Sequence, residues 1–345
     1  MREDDSRKYL IHKSEIDKDI EAFARKYSMP ETQELYRQLL TSIVKLNLDK
    51  ADEFDLRLIN IALKELRHSF KILSKYRKVP KVTIWGSART APNSSEYKMA
   101  MEFARLIVEK GYMIVTGGGG GVMEAGNRAA GDKSFGVNIN LPRIQPSNPY
   151  LTKGEKLIEF RYFFTRKLIF VKESNATVLF PGGLGTMDEA FEILTLFQTG
   201  KTTPRPIILI NVPKSRYWKH WLDFVKKEML KNGYIAKHDL SLFRIVNSAE
   251  EAVDEIVNYY KNYHSIRFVG HLTVLRMNKP LSESALTQLN REFADILVNG
   301  KICCSGPTRE ETADKDHTDL PRLIFPFNRT NYGRLNELIR KINEY

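Results

Sequence analysis

The chain has 345 residues, enough for two or three domains around a large core, and its 42% apolar and 28% charged residues are ordinary for a globular protein. Lys and Arg number 54 against 42 Asp and Glu, a formal net charge of +12, which suits nucleic acid, an acidic membrane surface or anionic metabolites. The basic residues are spread along the chain without an aromatic-interleaved motif, and Lys172 and Glu173 break the best apolar run, Leu168–Phe180, so neither a nucleic-acid nor a membrane partner is expected. In chain order, the opening Met1-Arg-Glu-Asp-Asp5 is charged and has no signal-peptide apolar core. Residues 1–78 read as a helical region. Within it, Ala51–Leu73 carries Phe54, Leu58, Ile61, Ala62, Leu66 and Ile72 near helical spacing. The densest basic stretch, Lys64–Lys81, reads as a solvated helix face, and Arg77-Lys-Val-Pro80 ends the region.

From Lys81 strands and helices alternate. Strands are expected at Val82–Trp85, Met113–Thr116, Phe135–Leu141, Thr177–Phe180 and Ile207–Asn211. Helices are expected at Glu96–Glu109, Val122–Ala130, Tyr162–Val171, Met187–Phe197, Trp218–Leu230 and Ala249–Tyr260. This pattern predicts an α/β domain over residues 79–263, a Rossmann-like doubly wound parallel sheet with its ligand beyond the strand C-termini. Residues 264–345 read as a small C-terminal α+β appendage. Its expected elements are strands at Phe268–Met277, Lys301–Ser305 and Leu323–Phe327, helices at Ser284–Leu297 and Tyr332–Ile342, and a polar loop over Pro307–Asp319. The two cysteines, Cys303 and Cys304, are neighbours and form no disulfide framework, which fits a reducing cytoplasm.

Three turns fall at expected strand C-termini. The first, Gly86-Ser-Ala-Arg89, could offer the Ser87 hydroxyl and a helix N-terminus to a ligand, or be an ordinary turn. The second, Thr116 followed by Gly117–Gly121 and Val122-Met-Glu124, points to close approach of backbone to a ligand. It matches neither the dinucleotide fingerprint nor a triphosphate P-loop. The third, Pro181-Gly-Gly-Leu-Gly-Thr-Met-Asp-Glu189, joins a buried strand to a helix start, whose free amides and partial positive charge suit a phosphate. Thr186 could add a hydroxyl and Glu189 a carboxylate. The same quartet, Thr186–Glu189, also fits a capping box, which would make Glu189 structural. Asp188 and Glu192 read as early-helix charges favoured by the dipole. Arg166 and Lys167 lie in an aromatic helix and need partners, a salt bridge being the plain alternative to a site. Histidines are scattered without a metal motif, and Asp314, Asp316, His317 and Asp319 read as a solvated turn, so no metal is expected. A serine hydrolase is disfavoured because no Gly-x-Ser-x-Gly elbow occurs.

Together, Gly86–Arg89, Gly117–Glu124, Arg166-Lys167 and Pro181–Glu189 resemble the LOG (Lonely Guy) family, often labelled lysine decarboxylase-like. The segment Gly136-Val-Asn-Ile-Asn-Leu-Pro142 is similar to its longer bacterial members. The resemblance covers about residues 81–260. It implies a nucleoside 5′-monophosphate phosphoribohydrolase, acting on AMP or a related nucleotide, without a cofactor. It also implies Arg166 and Glu189 as catalytic residues. Substrate-binding positions would be Ser87, Gly118, Gly119, Gly120, Gly121, Glu124, Lys167, Gly182, Gly183, Gly185 and Thr186. LOG-type proteins pair around their active-site helices, so a homodimer or higher homo-oligomer is expected. The second loop departs from the short plant-type pattern, Gly-Gly-Gly-x-x-Gly-x-Met-Gly, which weakens an inference of cytokinin specificity. A non-catalytic carrier of a nucleotide or phosphorylated cofactor is the alternative on this scaffold.

Overall fold

The structure is a computed structural model describing residues 11, 14–141, 147–151 and 156–345. Two features read from sequence, the charged opening Met1–Asp5 and Pro142 of the Gly136–Pro142 segment, lie outside the described residues. By its contacts the chain divides into two units, Met1–Glu65 and Leu66–Tyr345.

The first unit is helical. It holds α1 (Ser14–Tyr27), α2 (Gln33–Leu48) and the start of α3 (Glu53–Leu73). Acidic residues open each helix and basic residues fill each last turn, complementing the helix dipoles. Few of this unit's apolar residues are enclosed: Ile20 and Ala24 are buried, whereas Leu35, Leu39, Ile43 and Phe54 are exposed.

The second unit is built on seven parallel strands in the order β4-β3-β2-β1-β5-β6-β7. These are β1 (Lys81–Trp85), β2 (Met113–Thr116), β3 (Ser134–Ile139), β4 (Leu157–Phe160), β5 (Ala176–Leu179), β6 (Ile207–Ile210) and β7 (Arg244–Val246). Strands β1, β2, β3, β5 and β6 are buried throughout, as expected for strands covered on both faces. The covering helices are α4 (Ser95–Glu109), α5 (Val122–Ala130), α6 (Phe163–Glu173), α7 (Leu184–Gln198), α8 (Tyr217–Phe224) and α9 (Ala249–Tyr259). A π-helical stretch, Val225–Leu230, follows α8 where one continuous α-helix was expected. Lys81 is the exception to the expected solvated basic face. Its ammonium is buried, donates to the Tyr76 and Val79 carbonyls and lies 3.8 Å from Glu173.

Strand order reverses between β1 and β5, with Trp85 opposite Leu179. This switch point leaves a crevice beyond the strand ends.

The C-terminal region forms a four-stranded antiparallel sheet, β10-β11-β9-β8. It comprises β8 (Tyr263–Val269), β9 (Leu272–Met277), α10 (Glu283–Glu292), β10 (Cys303–Ser305), α11 (Arg309–Asp314), β11 (Arg322–Phe325) and α12 (Tyr332–Ile342). Two expectations fail here. The single strand Phe268–Met277 is a hairpin, because Gly270 takes a positive φ of 57° and reverses the chain. The loop Pro307–Asp319 contains α11, started by a Thr308–Glu311 capping box hidden in polar sequence. One apolar cluster runs from Phe135, Phe170 and Phe197 to Leu323, Leu335 and Ile339, so this sheet and the parallel sheet share a core. No helix among the described residues is long and apolar enough to cross a membrane.

Candidate active site

The first and third turns meet at the switch point. The Ser87 amide donates to the Pro181 carbonyl at 3.2 Å, while the Ser87 carbonyl accepts from the Val122 amide at 3.1 Å. Tyr217 donates its hydroxyl to the Gly182 carbonyl at 2.6 Å, fixing the third turn from behind. Between these turns lies a cavity of about 660 Å³. Trp85, Met123, Ile139, Leu141, Phe163 and Leu184 form its apolar wall; Ser87, Arg89, Arg166, Thr186, Asp188 and Glu189 supply polar groups.

The start of α7 resolves the role of Glu189 as a cap. Gly183 is the N-cap and makes no side-chain cap bond, so the helix begins at Leu184. Thr186 therefore sits inside the first turn, and Glu189 lies too far along the helix to return to a cap residue. The capping box expected for Thr186–Glu189 is not formed. The Glu189 side chain instead reaches the cavity, 12% exposed, with one long contact of 3.5 Å to Arg166 Nη1. Burial pushes its carboxyl up to about 7, against the opposing charges of Arg166 and Lys167. A carboxyl held there exchanges its proton near neutral pH.

Arg166 is 7% exposed and lies over the Phe170 ring, 5.1 Å from its centroid. Its Nε donates to the Val137 carbonyl at 2.8 Å. Burial pulls its pKa down and Glu189 opposes this, yet a guanidinium remains charged. Gly117 explains how the cation fits: a Cβ there would collide with Arg166 Nη2 and with the Met123 sulfur. Gly121, at φ +62°, passes against the Ser87 carbonyl, where a side chain would clash.

The cavity brings together Ser87, Gly183, Gly185, Thr186, Arg166 and Glu189 from the residues singled out by sequence. Gly182 lies behind the wall with its carbonyl tied to Tyr217. Gly118, Gly119, Gly120 and Gly121 are not among the cavity's lining residues; Gly120 and Gly121 lie against Ala88 and Ser87 of the first turn, and Gly118 lies against Asn138 and Leu151. Glu124 accepts from the Tyr97 hydroxyl at 2.9 Å. Lys167 turns to Asp188 at 2.7 Å and Glu192 at 3.1 Å, so these two carboxylates pair with a side chain besides favouring the dipole. Among the described residues no group of three or more His, Cys, Asp or Glu is placed to hold a metal. In the appendage, Asp314 and Asp316 pair with Arg267, and Asp316 also with Arg276, where a solvated turn was expected.

Sequence reasoning missed Asn148. Its Nδ2 donates to the Gly118 and Gly119 carbonyls and to Asn127 Oδ1, 3.0–3.2 Å away. Asn127 in turn accepts from Thr116 Oγ1 at 2.6 Å. This buried network props the glycine run. No local pattern announces it, since Asn148 lies 30 residues from Gly118.

Fold and site define a Rossmann-like α/β domain with paired turns and a buried Arg–Glu couple at its switch point. Residues 110–256 match the family model described as "Possible lysine decarboxylase". A rice (Oryza sativa subsp. japonica) protein named "Probable cytokinin riboside 5'-monophosphate phosphoribohydrolase LOGL3" is 28% identical over 177 residues, covering 50% of this chain and 81% of the rice protein. The Mycobacterium tuberculosis "Cytokinin riboside 5'-monophosphate phosphoribohydrolase" is 26% identical over 167 residues, covering 45% of this chain and 82% of that protein. A solved molybdenum cofactor binding protein from Rippkaea orientalis overlaps 51% of this chain and 94% of its own at 21% identity and a TM-score of 0.37; so partial a likeness does not bear on function.

Proposed function

We propose that this protein hydrolyses the N-glycosidic bond of a nucleoside 5′-monophosphate, AMP or a related nucleotide, giving free base and ribose 5-phosphate. The observation that carries this reading is the Glu189 carboxyl, buried in the switch-point cavity with one long contact and held at about 7. Departure of the base leaves an oxocarbenium-like ribosyl centre. Ionised Glu189 stabilises that charge and orients or deprotonates the attacking water. Arg166 holds Glu189 or a ribose hydroxyl. Ser87, Thr186 and the amides at the start of α7 receive the phosphate, whose binding positions the distant bond. The apolar wall from Trp85 to Leu184 receives the base. The reaction needs no metal or organic cofactor, because the chain's own carboxylate and a water supply the chemistry.

The chain acts as a homodimer or higher homo-oligomer in this reading. Phe164, Leu168 and Leu184 stand 49–91% exposed on α6 and α7 beside the cavity, an apolar face suited to a second copy. A cytoplasmic location follows the substrate class.

The test is base release from a panel of nucleoside 5′-monophosphates, followed by chromatography, with Glu189→Gln beside the wild type. Release of one base with ribose 5-phosphate, lost in the variant, is expected. A folded protein that binds nucleotides and releases no base would be a carrier instead.

A further inference from the structure

The charged groups on the cavity wall are compensated by their neighbours, with one exception. Arg166 faces Glu189, and Asp188 faces Lys167. Arg89 lines the same cavity, exposed, and among the described residues its guanidinium has no hydrogen bond or ion pair. Its backbone is held in place: the Arg89 amide donates to Ser87 Oγ at 3.1 Å, and Ser87 is itself tied to the other two turns through Pro181 and Val122. The first turn thus fixes the root of an unpaired cation at the rim and leaves its long side chain to reach inward. With Glu189 ionised for hydrolysis, the rest of the wall carries no net positive charge. A 5′-phosphate brings a charge of about −1.5 to −2 near neutral pH. Hydroxyls and backbone amides supply only partial positive charge.

We infer that Arg89 is the phosphate-selecting residue of this cavity, the group that distinguishes a nucleoside 5′-monophosphate from the uncharged nucleoside. The inference rests on the proposed hydrolase reading for its substrate and on the wall's charge pattern for its residue. A guanidinium suits the task because its planar fork meets two phosphate oxygens at once, which a lysine cannot do. Arg89 binds substrate and leaves the chemical step to Glu189.

The test compares wild type with Arg89→Ala and Arg89→Lys in three measurements: base release from AMP, base release from adenosine, and calorimetric titration with ribose 5-phosphate. Loss of one charge-assisted contact is expected to weaken ribose 5-phosphate binding and raise the KM for AMP about 10- to 100-fold, with kcat within about threefold. Arg89→Lys recovers part of the loss, and added salt weakens the wild type more than Arg89→Ala. Unchanged ribose 5-phosphate affinity in Arg89→Ala overturns the inference. So does an equal loss on adenosine, or a wild type that does not bind ribose 5-phosphate. The two readings fail separately. A protein that binds ribose 5-phosphate through Arg89 and releases no base loses the hydrolase reading alone. One that hydrolyses AMP with indifference to Arg89 loses this inference alone.

Discussion

Glu189 and Glu311 are two buried glutamates beside arginines, and they behave in opposite ways. Glu311, in the C-terminal sheet region, is fully enclosed. It meets Arg276 Nε at 2.8 Å and Arg322 Nε at 3.3 Å, and its second oxygen accepts from the Thr308 amide at 3.0 Å. Burial pushes its carboxyl up, but the Thr308 amide, the Arg276 bond and the two guanidinium charges outweigh it, and the pKa is lowered. Glu189 has one guanidinium at 3.5 Å and no cap, so burial wins. Burial beside an arginine does not make a carboxylate reactive or inert. The number and quality of contacts to the charged form decide it.

The first way to break the comparison is Glu189→Gln, which removes the titrating group and keeps its shape. Base release should fall about 10²- to 10⁴-fold with an unchanged fold by circular dichroism. Loss in proportion to unfolded protein would put Glu189 with Glu311 as a structural acid. Conversely, Glu311→Ala leaves the buried Arg322 guanidinium without a carboxylate and Arg276 with Asp316 alone, and should cost about 3–5 kcal/mol in urea unfolding, while turnover per folded molecule holds.

The pH dependence sharpens the contrast. For Glu189 the folded pKa of about 7 lies above its unfolded value of 4.5. The native state therefore binds more protons between these values, and stability falls as pH rises through that window. Glu189→Gln should remove this slope and raise stability at pH 8 by up to about 3 kcal/mol relative to wild type, read as a Tm gain over wild type that is larger at pH 8 than at pH 5. Wild-type turnover should rise through about pH 7 as the carboxylate forms. Glu311 has the opposite sign: its lowered pKa gives stability above its unfolded value that is lost as pH falls below it. The smallest effect is expected from Gly117→Ala, which pushes Arg166 aside. A loss of about tenfold in kcat/KM without global unfolding is the expected result, and wild-type kinetics would show that the glycine is dispensable.

Much of the architecture was legible in the chain. Apolar runs between turn residues located β1, β2, β3, β5 and β6, and α5 and α12 begin and end where periodicity placed them. The strands left unseen, β4 and β7, are edge strands that pair on one side only and carry Glu159 and Arg244. An edge position tolerates charge, and charge erases the pattern. The hairpin β8–β9 was read as one strand because a single glycine interrupts two apolar runs.

For the site, local sequence determined the turns: glycines at positions of close approach, and an apolar strand leading each into a helix. It also brought Arg166 and Glu189 forward through their motifs. Sequence left Glu189 divided between a cap and a cavity wall, because both use the same four residues. Tertiary structure decided it by starting α7 at Leu184. It also turned Lys167 toward Asp188 and Glu192, left Gly118–Gly121 out of the cavity lining, and put Asn148 under the Gly118 and Gly119 carbonyls. Turn chemistry and periodicity act between neighbours in the chain, so sequence displays them. Desolvation, charge compensation and the choice of partner depend on what the fold brings alongside, and these decide which carboxylate titrates near neutrality.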